Sequence, residues 1–160
     1  MSLYVRKSAQ YFVHFCFKQS DKVLRYFVDI FPISLKLQQQ PCLIVGGGHI
    51  AYRKALLLQK AGARIDVLSP DIEDNLRELV SHSQGQYVAA PFSTDFPLAH
   101  YRLVIAATDQ ADVNKAVFEV CEARNILVNS VDDPPNCRFM VPAIVDRSPL
   151  VISIASNGTS

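Results

Sequence analysis

At 160 residues, with 49% hydrophobic and 19% charged side chains, the chain has the length and balance of one well-buried domain rather than two, and wholesale disorder is excluded. A net charge of +1 supplies no field to attract nucleic acid, and no apolar run approaches the roughly 18 to 20 residues that a membrane helix needs. Cys16, Cys42, Cys121 and Cys137 form no CxxC pair and have no histidines at ligand spacing, so a metal site and a disulfide framework are not expected, and a reducing cytoplasm fits.

In chain order, residues 1–27 stand apart. They are basic (Arg6, Lys7, Lys18, Lys22 and Arg25 against Asp21) and aromatic, with Tyr11, Phe12, Phe15 and Phe17, and they lack an apolar core with a cleavage site. This segment reads as an N-terminal extension of unclear role, and residues 28–160 as the domain proper. Cys42–Val45 is a short apolar run suited to a strand buried on both faces. Ala51, Ala55, Leu58 and Ala61 then form a helical stripe that Gly62 ends as a C′ residue. Ile65–Leu68 is a second strand. Ser69 is placed to cap a helix with Pro70 at its first position and Ile72, Leu76, Leu79 and Val80 on its apolar face.

A weaker strand is expected at Tyr87–Ala90, followed by an irregular stretch through His100. Leu103–Ala107 is a clear buried strand, and the helix after it sets Val113, Ala116, Val117, Val120 and Cys121 on one face. Ile126–Val131 is the next strand. Beyond Pro134–Pro135, Phe139–Val145 and Leu150–Ser156 flank Asp146–Pro149 as two strands and a turn. The β-α-β-α-β alternation predicts an α/β fold, a Rossmann-like doubly wound parallel sheet with a C-terminal strand pair.

The sequence "CLIVGGGHIAYRK" at 42–54 carries the first chemical signal. Gly46, Gly48 and Ala51 stand as GxGxxA between a strand and a helix. In the dinucleotide fingerprint the first glycine allows the turn, the second lets backbone approach a pyrophosphate, and the third small residue brings helix and strand together. The helix start would then direct free N–H groups at phosphate. A purely structural turn uses the same residues. The acid expected about 20 residues on, which selects NAD through the ribose, is replaced by Ser69 and Pro70, with Asp66 inside the strand and Asp71 past the turn. The choice between NAD and NADP stays open.

Together with "FPISLKL" at 31–37, "AATDQADVN" at 106–114 and "NSVDDPPNCRFMVPAIVDRSPL" at 129–150, the glycine segment resembles the N-terminal NAD-binding domain of the siroheme synthase and precorrin-2 dehydrogenase/sirohydrochlorin ferrochelatase family, over residues 28–160. The resemblance implies an oxidoreductase of siroheme biosynthesis. Precorrin-2 would be oxidised to sirohydrochlorin with NAD as cofactor, and ferrous iron inserted in a second activity, as the substrate of chelation rather than a bound cofactor. It implies nucleotide contacts at Gly46, Gly47, Gly48, His49 and Ile50, at Ser69, Pro70 and Asp71, and at Ala107, Thr108 and Asp109.

The catalytic carboxylate of the family falls on Asp132, suited to accept the proton that accompanies hydride loss and those released from pyrrole N–H groups. Read without the resemblance, Asp132 is better explained as a turn cap before Pro134–Pro135. The substrate bears carboxylates, which makes Arg53, Lys54, Arg138 and Arg147 candidate partners, with Ser156 on the substrate side by analogy. The family is homodimeric and continues into a helical dimerisation arm, which this chain is expected to lack. A nucleotide-sensing Rossmann domain without catalysis is the alternative, but such domains place an acid where Ser69 stands.

Overall fold

A computed structural model describes residues 30–131 and 133–155. The readings placed on residues 1–27, Asp132 and Ser156 lie outside the described residues. Five parallel strands form the central sheet: β1 (Pro41–Val45), β2 (Arg64–Leu68), β3 (Tyr87–Val88), β4 (Leu103–Ala106) and β5 (Leu127–Ser130), in the order β3-β2-β1-β4-β5. Helices α1 (His49–Lys60), α2 (Asp74–His82) and α3 (Ala111–Ala123) alternate with them. Strands β6 (Ala143–Arg147) and β7 (Leu150–Ile154) pair antiparallel as a separate hairpin. The doubly wound sheet and the strand pair anticipated from sequence are both present.

Side chains alternate between two layers, as the two-residue strand period requires. Cys42, Ile44, Ile65, Val67, Leu103 and Ile105 face α1 and α2, whose Ala51, Ala55, Leu58, Leu76, Leu79 and Val80 complete that core. Leu43, Val45, Leu68, Val104, Ala106 and Val128 face the other way, under Val117 and Cys121 of α3 and under Leu98 and Tyr101 of an irregular stretch. No helix connects β3 to β4; residues 89–102 cross beneath the sheet in extended and turn conformations. Arg124, just past α3, anchors this stretch by donating to the carbonyls of Phe96 at 3.1 Å and Thr94 at 3.2 Å.

Several local expectations hold. Gly62 (φ +73°) follows the Ala61 C-cap, and Ala63 N–H reaches back to Leu58 O at 3.1 Å, the pairing of a Schellman motif. Others are corrected. Ser69 does not cap α2, which begins at Asp74 after Glu73. The intervening residues are held elsewhere: Ser69 N–H donates to Val88 O, Tyr87 Oη–H to Pro70 O and Glu73 N–H to Gly47 O. Tertiary hydrogen bonds thus outcompete the local capping signal. Strand β3 is two residues long rather than four. The hairpin turn is tighter than expected, with Asp146 and Arg147 inside β6 and Arg147 paired to Leu150. The buried stripe of α3 includes Asn114, while Val113, Ala116 and Val120 lie only half-buried.

Candidate functional site

The sheet order sends the chain in opposite directions from β1 and β4, and their carboxyl ends open the crevice where open α/β sheets take ligands. Three turns meet there and are tied by backbone hydrogen bonds. Gly46 N–H donates to Leu68 O at 3.0 Å, Glu73 N–H to Gly47 O at 2.8 Å and Ala107 N–H to Val45 O at 2.8 Å. Every element expected to touch a nucleotide therefore converges on one edge of the sheet.

The three glycines stand in different surroundings. Gly46 has φ +122°, and a Cβ there would stand 2.3 Å from Ala107 O. A Cβ on Gly47 would lie 1.8 Å from Asp71 O, an impossible approach between two backbone segments. Gly48 is exposed, and a Cβ on it would meet nothing within 4 Å. Packing within the chain explains the first two glycines. The third fronts open space.

Gly48 is also the N-cap of α1, contributes no side-chain cap, and no acidic residue occupies the first turn. The helix therefore starts with N–H groups that have no intrahelical acceptor, facing that space with the positive end of the dipole. Room for close approach, unspent donors and absence of negative charge fit a pyrophosphate, which brings only acceptors. His49 and Ile50, in the same turn, are exposed.

At the tip of β2, Ser69 is half-buried and Pro70 and Asp71 are exposed. Tyr87 fixes Pro70 from one side and carries the Arg77 guanidinium over its ring at 4.7 Å. Asp66 is unavailable to a ribose: it is buried, its Oδ2 accepts Tyr101 Oη–H at 2.9 Å, and its Oδ1 accepts Gln86 N–H at 2.8 Å.

After β4, Ala107 is buried, Thr108 half-buried and Asp109 exposed. The turn is locked by Asn114, which sequence reading passed over. Its Oδ1 accepts from Thr108 N–H (3.1 Å) and Oγ1–H (2.7 Å), and its Nδ2 donates to Thr108 O (3.0 Å). A polar residue three and seven positions before Val117 and Cys121, on the apolar face of α3, was the available signal.

The loop following β5 is closed by a second residue that sequence reading missed. Cys137 Sγ–H donates to Ser130 O at 3.1 Å and accepts from Ser130 N–H and Asn129 Nδ2–H, each at 3.3 Å. Burial holds this thiol above its ordinary pKa, opposed by the hydrogen bond with the Ser130 backbone and, more weakly, by Lys54. Asp133, at the neck of the 3-10 turn Pro134–Asn136, accepts from Asn136 Nδ2–H at 2.6 Å. Asn129 Oδ1 and Ser130 Oγ are buried without a hydrogen-bond partner among the described residues, two unspent polar atoms at the carboxyl end of β5.

The candidate cations do not converge. Lys54 is half-buried and near enough to Cys137 to bear on its thiol. Arg53 is exposed on α1. Arg138 is committed to α3, paired with Glu122 and lying over the Phe118 ring at 5.5 Å. Arg147 sits at the hairpin turn and donates to Asp146 O at 3.2 Å. No group of three or more His, Cys, Asp or Glu among the described residues is placed to hold a metal ion, and no helix among them is long and apolar enough to cross a membrane.

A family model described as putative NAD(P)-binding matches residues 33–143. Siroheme synthase of Acinetobacter baylyi is 67% identical over 133 residues, which are 83% of this chain and 29% of that protein. Siroheme synthase of Methylobacillus flagellatus is 47% identical over 133 residues, again 83% of this chain and 28% of the relative. The chain thus spans less than a third of these relatives. Among solved structures, one titled SirC, precorrin-2 dehydrogenase, superposes with a TM-score of 0.70 at 26% identity, covering 82% of this chain and 64% of that one.

Proposed function

Because the chain belongs to the putative NAD(P)-binding family, we propose that it is the nucleotide-binding part of a siroheme-forming enzyme and oxidises precorrin-2 to sirohydrochlorin with NAD+. The observation that carries the reading is the glycine turn. Gly48 fronts open space at the start of α1, inside a segment that is 67% identical to a siroheme synthase. The likeness to a precorrin-2 dehydrogenase fold supports the same reaction.

In this reading the backbone N–H groups at Gly48, His49 and Ile50 hold the pyrophosphate, with Gly46 and Gly47 shaping the turn. Ser69, Pro70 and Asp71 border the adenosine end. Ala107, Thr108 and Asp109, locked by Asn114, border the nicotinamide end. Bound NAD+ supplies the hydride acceptor. The protein supplies orientation and the path of the proton. Asp132, between Val131 and Asp133 in the sequence, takes the proton lost from the macrocycle carbon as the hydride leaves. The same carboxylate accepts pyrrole N–H protons when ferrous iron, a substrate, enters the ring. Lys54 is the cation best situated to receive a substrate carboxylate, since Arg138 is engaged by Glu122. As in the family at large, the working unit is a homodimer, and its place is the cytoplasm.

The test is anaerobic incubation of the chain with precorrin-2 and NAD+, following NADH and sirohydrochlorin absorbance together, alongside the same segment in its full-length relative. Coupled growth of both signals that Asp132→Asn abolishes is expected. Silence of the full-length protein too, or an undiminished Asp132→Asn variant, would sink the reading. NADP+ in place of NAD+ settles the preference that Ser69 leaves unspecified.

A further inference from the structure

The opposite edge of the sheet carries a second concavity. Because no helix links β3 to β4, α3 covers only one side of that face, and residues 89–102 roof the rest with a single irregular layer. The layer leaves a cavity of about 360 Å³ beside the start of β2, lined by Arg64, Asp66, Gln84, Gln86, Phe96 and His100 among others. Its size falls within the range of small-molecule sites, and it lies at the amino ends of the strands, away from the glycine turn.

The polar groups in it are unequally spent. Both oxygens of Asp66 are used, one by Tyr101 Oη–H and one by Gln86 N–H. Burial is the main cause holding the Tyr101 phenol above its ordinary pKa, with the Asp66 charge and hydrogen bond adding to it, so this bond persists across the physiological range. Arg64 precedes Asp66 by two residues and so shares its face of the sheet. Its Nε is buried without a partner, and among the described residues it makes no ion pair. A buried N–H left unpaired is costly, and here it is a charged one. Phe96, Pro97 and Val88 supply apolar wall, and His100 stacks on Tyr101 with centroids 3.9 Å apart.

We propose that this cavity is a binding site for a small monocarboxylate with a short apolar body. The carboxylate accepts from the Arg64 guanidinium, and the body lies against Phe96 and Val88. The guanidinium supplies a single positive charge, with the Asp66 carboxylate in the same cavity wall, which suits a monoanion and disfavours a phosphate dianion. This inference is independent of the nucleotide site and of the reaction proposed there.

The test is amide NMR of the labelled 160-residue chain titrated at constant ionic strength with sodium butyrate, butyramide or sodium phosphate. Butyrate is expected to shift the amides of residues 84–88 and 96–101 saturably, leaving those of 46–50 in place. NAD+ should do the reverse, so failure at one site is read separately from failure at the other. Arg64→Met should weaken butyrate at least about tenfold, as loss of one charge-assisted hydrogen bond predicts. Should that variant unfold, Arg64→Lys, which keeps the charge and loses the planar fork, is expected to weaken it by several-fold. Absence of saturable shifts overturns the proposal, as does butyramide binding equally well, phosphate binding as tightly as butyrate, or indifference to both Arg64 variants.

Discussion

The central sheet and the β6–β7 hairpin are built from the same residue types and end in opposite surroundings. Cys42–Val45 and Leu150–Ile154 are both short apolar β-branched runs, yet Leu43 and Ile44 are fully buried while Val151 and Ile154 are each 62% exposed. Strand β1 has a partner on each edge and a packed layer on each face. The hairpin strands, among the described residues, have only each other. An apolar run thus records a tendency to be covered, and the cover itself comes from other elements.

That contrast can be broken or sharpened by substitution. The largest effect is expected at Gly47, where any Cβ collides with Asp71 O. Gly47→Ala should cost on the order of 4 kcal/mol or prevent folding, measured by urea denaturation. Gly48→Ala, one residue along, should change stability by less than about 1 kcal/mol while weakening NAD+ roughly tenfold in a fluorescence titration. A stable Gly47→Ala protein, or unaltered nucleotide affinity in Gly48→Ala, would undo the division of labour in the turn. In the sheet, Leu43→Ala should cost about 2–5 kcal/mol through transfer and cavity terms.

Asn114→Ala leaves the Thr108 backbone without its partners and should cost about 1–3 kcal/mol, with NAD+ affinity falling alongside; Asn114→Asp keeps the acceptor and should recover part of it. Alkaline titration gives a smaller, graded signal. Burial raises Cys42 and Cys121 from 9.0 to about 11, so the folded state holds those protons more tightly than the unfolded chain. Stability from this source is complete below pH 9 and is lost as pH climbs toward 11, which thermal melts across that window would register as a falling midpoint. Smallest of all, Val151→Thr on the exposed hairpin should stay within about 0.5 kcal/mol. A cost comparable to Leu43→Ala would show that the hairpin is covered in solution.

The order of strands and helices from Pro41 onward, their alternation and the position of the glycine turn were all legible in the sequence, because period-2 runs, a period-3.6 stripe and glycine punctuation are local properties. Residues placed by these local rules, such as Gly62 after α1 and the buried runs of β1 and β4, came out where expected. Tertiary contact alone decided what local rules misplace. Ser69 has the chemistry of a helix cap, yet the pull of Val88, Tyr87 and Gly47 on residues 69–73 postpones α2 to Asp74. Asn114 gives only a faint local signal, a polar residue on an apolar helix face, and Cys137 gives none, because each bonds backbone atoms brought beside it by folding. Asp66 reads only as an acid inside a buried strand until Tyr101, 35 positions away, is seen to occupy it. Periodicity is carried by neighbours along the chain, whereas the fate of each buried polar group depends on which distant donor or acceptor the fold delivers to it.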